Sequence, residues 1–135
     1  MKVVIDTQVV LTAVFFGGAP RQIVEAVARG TLAAYATPEI ASEYGAAVAK
    51  AAAKKREKLR PHLLLPFTAR LHMIEATPKA ATCKNSGDDK FLSCALDAGA
   101  FYIVGGDKRL QLTRLGKTAK IMTAEGLSPI LALCS

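Results

Sequence analysis

Four acidic residues stand where predicted strands and helices meet, and together they could bind a metal ion. The four are Asp6, Glu43, Asp88 and Asp107. Asp6 directly follows the apolar run Lys2–Ile5, and Asp107 comes shortly after the apolar run 101–104. Ligands of open α/β sheets bind where strands end, and carboxylates that meet there repel one another unless a hard cation lies between them. The pattern predicts a metal-dependent hydrolase that acts on phosphodiesters.

Each of these acids also has a simpler explanation when it is taken alone. Asp6 and Asp107 could cap helices, because aspartate is a preferred residue at that position. Glu43 and Glu39 are four residues apart and share one helix face, which could simply be solvated. Two acids that close separate strands at one edge of a sheet nevertheless favour the ligand hypothesis jointly.

Asp88 and Asp89 compete for one role, since both fall in the first turn of a predicted helix. Negative charge is favoured there by the helix dipole. The segment 86–89 has the spacing of a capping box, which explains Asp89 as a cap. Asp88 is aligned with Leu92 and Ala95 at steps of four and seven, which turns it toward the packed side. We therefore prefer Asp88 as the ligand and Asp89 as the helix cap, which supports the site from outside the metal ligands.

The predicted chemistry needs oxygen ligands, which suits Mg²⁺ or Mn²⁺. Such ions orient a water molecule, lower its pKa and neutralise the developing charge on a phosphate. His62 and His72 fall in a region predicted to be helical and are expected to be surface or packing residues. The three cysteines form no C-x-x-C pair, which argues against a zinc site or a disulfide framework. Cys94 is expected to be a buried small hydrophobe.

The elements that must position these acids alternate between strands and helices. Apolar runs predict strands at Lys2–Ile5, 32–36, 101–104 and 120–122, with a further short strand or irregular segment at 77–83. Helical patterns occupy 9–16, 20–29, 38–60, 61–76 with a break or bend near Pro66, 89–98, and a closing segment after Thr123. This order predicts an α/β fold in three layers, with helices on both sides of a central parallel sheet.

Composition and charge narrow the class of protein. The chain has 135 residues, the length of one domain, and no linker or repeat divides residues 1–135. Its hydrophobic content of 51% is enough for a buried core, and no apolar stretch reaches the length of a membrane span. A strand-like run at the start and the cysteine usage lead us to expect no signal peptide and a cytoplasmic location.

Positive charge points to an anionic partner such as RNA. The formal net charge is +7 and the sequence pI is about 9.5. Lys108 and Arg109 follow Asp107 directly, so they are the better candidates for phosphate contacts. The densest basic run contains Lys54, Lys55 and Arg56, which could hold RNA phosphates or could be the solvated end of a helix.

Five short stretches, in this order along the chain, resemble the PIN-domain family and especially its toxin-like branch of VapC type. They are 3–10 (VVIDTQVV), 16–20 (FGGAP), 37–44 (TPEIASEY), 88–92 (DDKFL) with Ala95 and Leu96, and 103–107 (IVGGD). The resemblance implies a Rossmann-like α/β/α domain with an acidic, Mg²⁺- or Mn²⁺-dependent ribonuclease site. Asp6, Glu43, Asp88 and Asp107 match the family acids in that order. It also implies restraint by an antitoxin protein, and members of the branch often form homodimers.

Two positions depart from the family pattern. Gln8 stands where asparagine is usual, and it carries the same amide on a longer stem. Gly105 stands where the family favours a hydroxyl residue, which removes one hydrogen bond near Asp107. We expect Gln8 to orient the acids around Asp6. The alternative hypothesis is a catalytically degenerate module that keeps the fold and binds RNA or a protein partner.

Overall fold

The strands and helices are taken from a computed structural model, which describes residues 1–54, 64–75, 89–105, 112–114 and 117–134. The strands are β1 (Lys2–Ile5), β2 (Ala33–Ala36), β3 (His72–Met73), β4 (Tyr102–Val104), β5 (Leu112–Arg114) and β6 (Lys117–Met122). The helices are α1 (Thr7–Phe15), α2 (Gly18–Arg29), α3 (Pro38–Lys54), α4 (Leu64–Ala69), α5 (Asp89–Ala98) and α6 (Ala124–Cys134).

The strands form one sheet in the order β3-β2-β1-β4-β6-β5. All neighbours from β3 to β6 pair in parallel, and β5 pairs antiparallel with β6 at the edge. The chain builds outward from β1 to β3 on one side and then returns to place β4 on the other side of β1. The order therefore reverses between β1 and β4, and such a reversal opens a crevice at the carboxyl ends of the two strands.

Helices cover both faces of this sheet, which confirms the predicted three-layer α/β/α architecture. Val3, Val4 and Ile5 of β1 are all fully buried, although successive side chains of a strand point to opposite faces. A continuous apolar strand of this kind is stable only where both faces are packed. The helix α5 packs against β1, β2, β4 and β6, and α1 packs against α2 and α3.

Several predicted helix boundaries are confirmed by their hydrogen bonds. Thr37 caps α3, where its hydroxyl accepts a bond from the Ile40 amide at 3.2 Å. Thr123 caps α6 in the same way, accepting from the Gly126 amide at 3.0 Å. The helix α2 begins at Gly18, two residues before the predicted start at Pro20, and the proline still lies in the first turn, where no amide is needed.

The helix predicted for 61–76 is wrong in its second half. The described part of this region forms α4, which ends at Ala69, and His72–Met73 then form β3. Without β3, the strand β2 would be the edge of the sheet. His72 pairs with Tyr35 of this strand, and the pairing outweighs the apolar pattern that predicted a helix. The two rings stack with centroids 4.9 Å apart. Pro66 lies in the first turn of α4 and so does not bend it.

At the other edge, the predicted strand 120–122 is longer than expected. It extends from Lys117 to Met122 and pairs with β5, a strand that the apolar pattern did not indicate. The predicted segment 77–83 and the end of the helix predicted for 38–60 lie outside the described residues. Within the part of the chain that is described, no helix is long and apolar enough to cross a membrane.

The prediction that Cys94 is buried is confirmed, since its side chain is fully enclosed in the core. Burial raises the pKa of the Cys94 thiol to about 12, with a smaller contribution from nearby Asp97. The thiol therefore stays protonated at neutral pH and behaves as a packing group rather than as a nucleophile or a metal ligand.

Alanine substitutions at two glycines are expected to change the stability of the fold in opposite directions. Gly30 ends α2 with a left-handed φ of 83°, so Gly30→Ala is expected to destabilise the fold by about 1 kcal/mol. Gly45 lies within α3, and a Cβ built there meets no atom within 4 Å. Gly45→Ala should therefore stabilise by about 0.5–1 kcal/mol through helix propensity. Urea unfolding of both variants measures the difference, and a shift of the same sign in both would contradict these backbone assignments.

Candidate functional site

Asp6 lies at the crevice between β1 and β4. Ile5 pairs with Val104 at the ends of these strands, and the Asp6 amide donates to the Val104 carbonyl at 2.8 Å. Asp6 holds the N-cap position of α1, but its side chain makes no capping hydrogen bond. The half-buried carboxylate is therefore positioned by the sheet edge, and helix capping does not explain it.

Gly105 lies directly against this carboxylate. A Cβ atom built on Gly105 would stand 3.4 Å from Asp6 Oδ2 and the same distance from Asp6 Cβ. The Gly105 amide donates to the Met122 carbonyl at 3.0 Å, which holds the end of β4 in place. A side chain at position 105 would therefore touch Asp6. Because glycine has no side chain, residue 105 makes no such contact with the carboxylate.

Glu43 joins three helices at the same end of the sheet. It lies in α3, and its Oε2 accepts a hydrogen bond from the Thr7 hydroxyl at the start of α1. Its Oε1 accepts from the Lys90 ammonium at the start of α5. The side chains of Glu43 and Lys90 are 34% and 19% exposed, so this ion pair is only partly hydrated. Glu43 is thus about one-third exposed, and both of its carboxylate oxygens accept hydrogen bonds from neighbouring helices.

Tyr44 connects Glu43 to Asp6 through the backbone. Its hydroxyl donates to the Ile5 carbonyl, and its ring packs against Phe67 with centroids 5.6 Å apart. Complete burial raises the pKa of the Tyr44 hydroxyl well above its ordinary value, and nearby Cys94, Asp6 and Glu43 add to the effect. The hydroxyl therefore remains a protonated donor, and both acids lie close enough to act on it electrostatically.

The remaining predicted site residues fall into two groups. Gln8 is exposed on α1, and no described residue hydrogen-bonds its side-chain amide. Lys54 is exposed eleven positions after Glu43 along α3, about 16 Å away at 1.5 Å per residue, so it belongs to a more distant surface. The side chain of Asp89, the first residue of α5, lies outside the described part of the structure, as do Asp88, Asp107, Lys108, Arg109, Lys55 and Arg56.

Sequence reasoning assigned no role to Thr7 or Lys90, although each is bonded to Glu43. Both are direct sequence neighbours of predicted site residues, Thr7 after Asp6 and Lys90 after Asp89. That adjacency was the available signal. It was insufficient because only the packing of α3 beside α1 and α5 brings Glu43 within reach of both.

The donor chemistry of the crevice fits a hard cation. Asp6 contributes carboxylate oxygens at a strand end, and oxygen donors are what Mg²⁺ and Mn²⁺ prefer. Within the described ranges, no three side chains of His, Cys, Asp or Glu form a cluster that could hold a metal. Two of the four predicted acids lie outside those ranges, so Asp6 is the ligand candidate that the structure positions.

Comparison with known proteins shows to which family the chain belongs. A family model described as the PIN domain matches residues 2–109, and the chain therefore belongs to the PIN-domain family. Proteins with this domain are generally nucleases, which supports a hydrolase, and they typically use divalent metals. The prediction of a PIN domain is confirmed.

A solved structure has the same fold. The crystal structure of PAE2754 from Pyrobaculum aerophilum is similar to this chain with a TM-score of 0.57, and the match covers 98% of this chain and 99% of that one. The sequence identity is 18%, so the similarity concerns the fold alone. No curated protein matches the chain significantly.

Tyr44→Phe tests how the site is held together. The change removes the hydroxyl that bonds the Ile5 carbonyl inside the core, and it is expected to lower the free energy of unfolding by about 1–2 kcal/mol. Tyr35→Phe is the matched control, because the Tyr35 hydroxyl has no hydrogen-bond partner among the described residues and its ring stacking is retained. Equal unfolding midpoints for the two variants in urea would contradict this role of Tyr44.

Proposed function

We propose that the protein is an endoribonuclease that hydrolyses RNA phosphodiesters with Mg²⁺ or Mn²⁺. Asp6, Asp88 and Asp107 hold the metal, and Glu43 is the fourth acid of the site. The observation that carries the proposal is the position of Asp6, whose carboxylate lies at the reversal of strand order and is not used as a helix cap. Membership of the PIN-domain family supports the same chemistry.

Asp88 and Asp107, which lie outside the described residues, are close along the chain to described residues of the candidate site. Asp88 immediately precedes α5, whose second residue, Lys90, is bonded to Glu43. Asp107 comes two residues after Gly105, which lies against Asp6. Two residues span about 7 Å at most, so little chain separates either acid from a described residue of the site. This supports a ligand role for both.

Hydrolysis divides the work between the bound ion and the residues of the chain. A divalent ion lowers the pKa of water and offsets the negative charge that develops on the phosphate. Asp6 supplies a carboxylate for that ion, while Thr7 and Lys90 hold Glu43 beside it. The attacking water forms the new bond to phosphorus, and the departing ribose oxygen takes up a proton.

Basic residues supply the affinity for RNA in this proposal. Lys108 and Arg109 contact phosphates next to the site, while Lys54, Lys55 and Arg56 extend the contact along the surface. The net charge of +7 supports such a partner, and binding should weaken as salt concentration rises.

We also propose a biological setting, a toxin held inactive by an antitoxin protein, with a homodimer as the assembled form. The support is the resemblance of the sequence motifs to the VapC-type branch. Expression of the chain alone should arrest growth of a host cell, and co-expression of a cognate antitoxin should restore it. Arrest that Asp6→Asn leaves unchanged would count against a nuclease toxin.

Asp6→Asn tests the metal site directly. Asparagine keeps the size of the side chain and suits the N-cap position, but it removes the charge that binds the cation. We expect Mn²⁺-dependent cleavage of RNA to fall at least a hundredfold with an unchanged unfolding midpoint, since even residues that only support a metal ligand affect activity by about 10–100-fold. Glu39→Gln, an exposed acid one turn before Glu43, is the matched control and should cleave like the parent. Equal cleavage by parent and Asp6→Asn would refute the assignment.

The second candidate function is a degenerate PIN fold that binds RNA or a protein partner without cleaving RNA. The exposed side chain of Gln8 and the missing hydroxyl at Gly105 favour it. Titration of Mn²⁺ into the purified protein separates the two functions, because a degenerate site should show no carboxylate-dependent binding.

Gly105→Ser tests whether the missing hydroxyl matters. The built Cβ lies 3.4 Å from Asp6 Oδ2, so a serine hydroxyl at this position could donate to the carboxylate and orient it. We expect Gly105→Ser to bind Mn²⁺ about tenfold more tightly than Gly105→Ala, which adds the Cβ without the donor. Equal affinities of the two variants in a calorimetric titration would show that no such hydrogen bond forms.

A further inference from the structure

Lys90 forms a partly buried ion pair with Glu43. Its side chain is 19% exposed, its ammonium contacts Glu43 Oε1, and it lies 5.5 Å from the centroid of the Phe91 ring. The other Glu43 oxygen accepts from Thr7. An ammonium loses part of its hydration when it is partly buried, and contact with the Glu43 carboxylate compensates for that loss.

This pairing determines what Glu43 contributes to the electrostatic potential of the crevice. An unpaired carboxylate would add one negative charge to a site that already contains Asp6. With the Lys90 ammonium in contact, the pair is neutral overall and attracts a divalent ion far less than a free carboxylate would. Both Glu43 oxygens also have a donor already, so direct coordination by either one competes with an existing hydrogen bond.

We propose that Lys90 is a positioning residue that acts as an internal counter-ion: it neutralises Glu43, limits the affinity of the site for the divalent ion and holds the start of α5 beside that site. The inference rests on the proposed metal-dependent function. Glu43 is then a residue that organises the ends of α1 and α5, and it is not a direct ligand. Asp6, with Asp88 and Asp107, carries the metal.

The proposal predicts opposite changes in two measurements for one substitution. Lys90→Met keeps the apolar stem over Phe91 but removes the charge. Mn²⁺ binding to the RNA-free protein should become about tenfold tighter, because the Glu43 charge is then uncompensated and the ion is no longer repelled by the ammonium. RNA cleavage at saturating Mn²⁺ should fall at least tenfold, because Glu43 and the start of α5 lose their connection. A purely structural role would weaken both.

Three control variants make the experiment specific. Lys120→Met removes an equal charge from an exposed position at the opposite end of the sheet, and its Mn²⁺ affinity should equal that of the parent. Lys90→Arg keeps the positive charge and should bind Mn²⁺ with the same affinity as the parent. Glu43→Gln leaves the Lys90 charge uncompensated and should weaken Mn²⁺ binding about tenfold, and adding Lys90→Met should return the affinity to the parental value, since the site then has the same net charge as the parent.

The outcomes distinguish this inference from the proposed function. A parent that binds Mn²⁺ and cleaves RNA, with a Lys90→Met variant that folds but binds Mn²⁺ equally or more weakly, would overturn the inference alone. The same conclusion follows if Lys90→Met loses only RNA affinity, because Lys90 would then be a phosphate contact. A parent that neither binds Mn²⁺ nor cleaves RNA would overturn both. If Lys90→Met does not fold, the double variant Glu43→Gln/Lys90→Met decides, because it removes both charges of the pair: parental Mn²⁺ affinity supports the inference, and a loss of at least tenfold, as for a lost direct ligand, contradicts it.

Discussion

The candidate site depends on the hydrogen bond from the buried Tyr44 hydroxyl to the Ile5 carbonyl. This bond joins α3 to the end of β1, although 39 residues separate its partners along the chain. Glu43 precedes Tyr44 and Asp6 follows Ile5, so one contact brings both acids to the same end of the sheet. Burial excludes competing water, which makes the bond a well-defined constraint.

The electrostatics of the crevice follow from this constraint. Asp6 lies beside Gly105, which has no side chain. The negative charge of Glu43 is instead compensated by the Lys90 ammonium, and its other carboxylate oxygen accepts a hydrogen bond from Thr7. The two described acids therefore differ in their environments: Asp6 lies at a strand end beside a glycine, and Glu43 is bonded to the first turns of α1 and α5. The Lys90 ammonium offsets the charge of Glu43 and so lowers its repulsion of other carboxylates nearby.

Much of the fold was predictable because local signals agreed with the tertiary arrangement. The apolar run at β1 and the caps at Thr37 and Thr123 all reflect interactions between near neighbours in sequence. The errors occurred at the sheet edges, where β3 and β5 form. A two-residue strand such as His72–Met73 has too little apolar pattern of its own, and it exists because β2 offers an unpaired edge.

The sequence by itself determined the class of fold and the position of Asp6 at the end of a strand, because strand alternation and a polar residue after an apolar run are local patterns. Only the tertiary structure decided that Glu43 is bonded to Thr7 and Lys90. Spacing places Glu39 and Glu43 on one helix face, but the direction of that face depends on how α3 packs against α1. Contacts between residues 36 and 47 positions apart have no signature in local periodicity, since they form only when separate elements pack together.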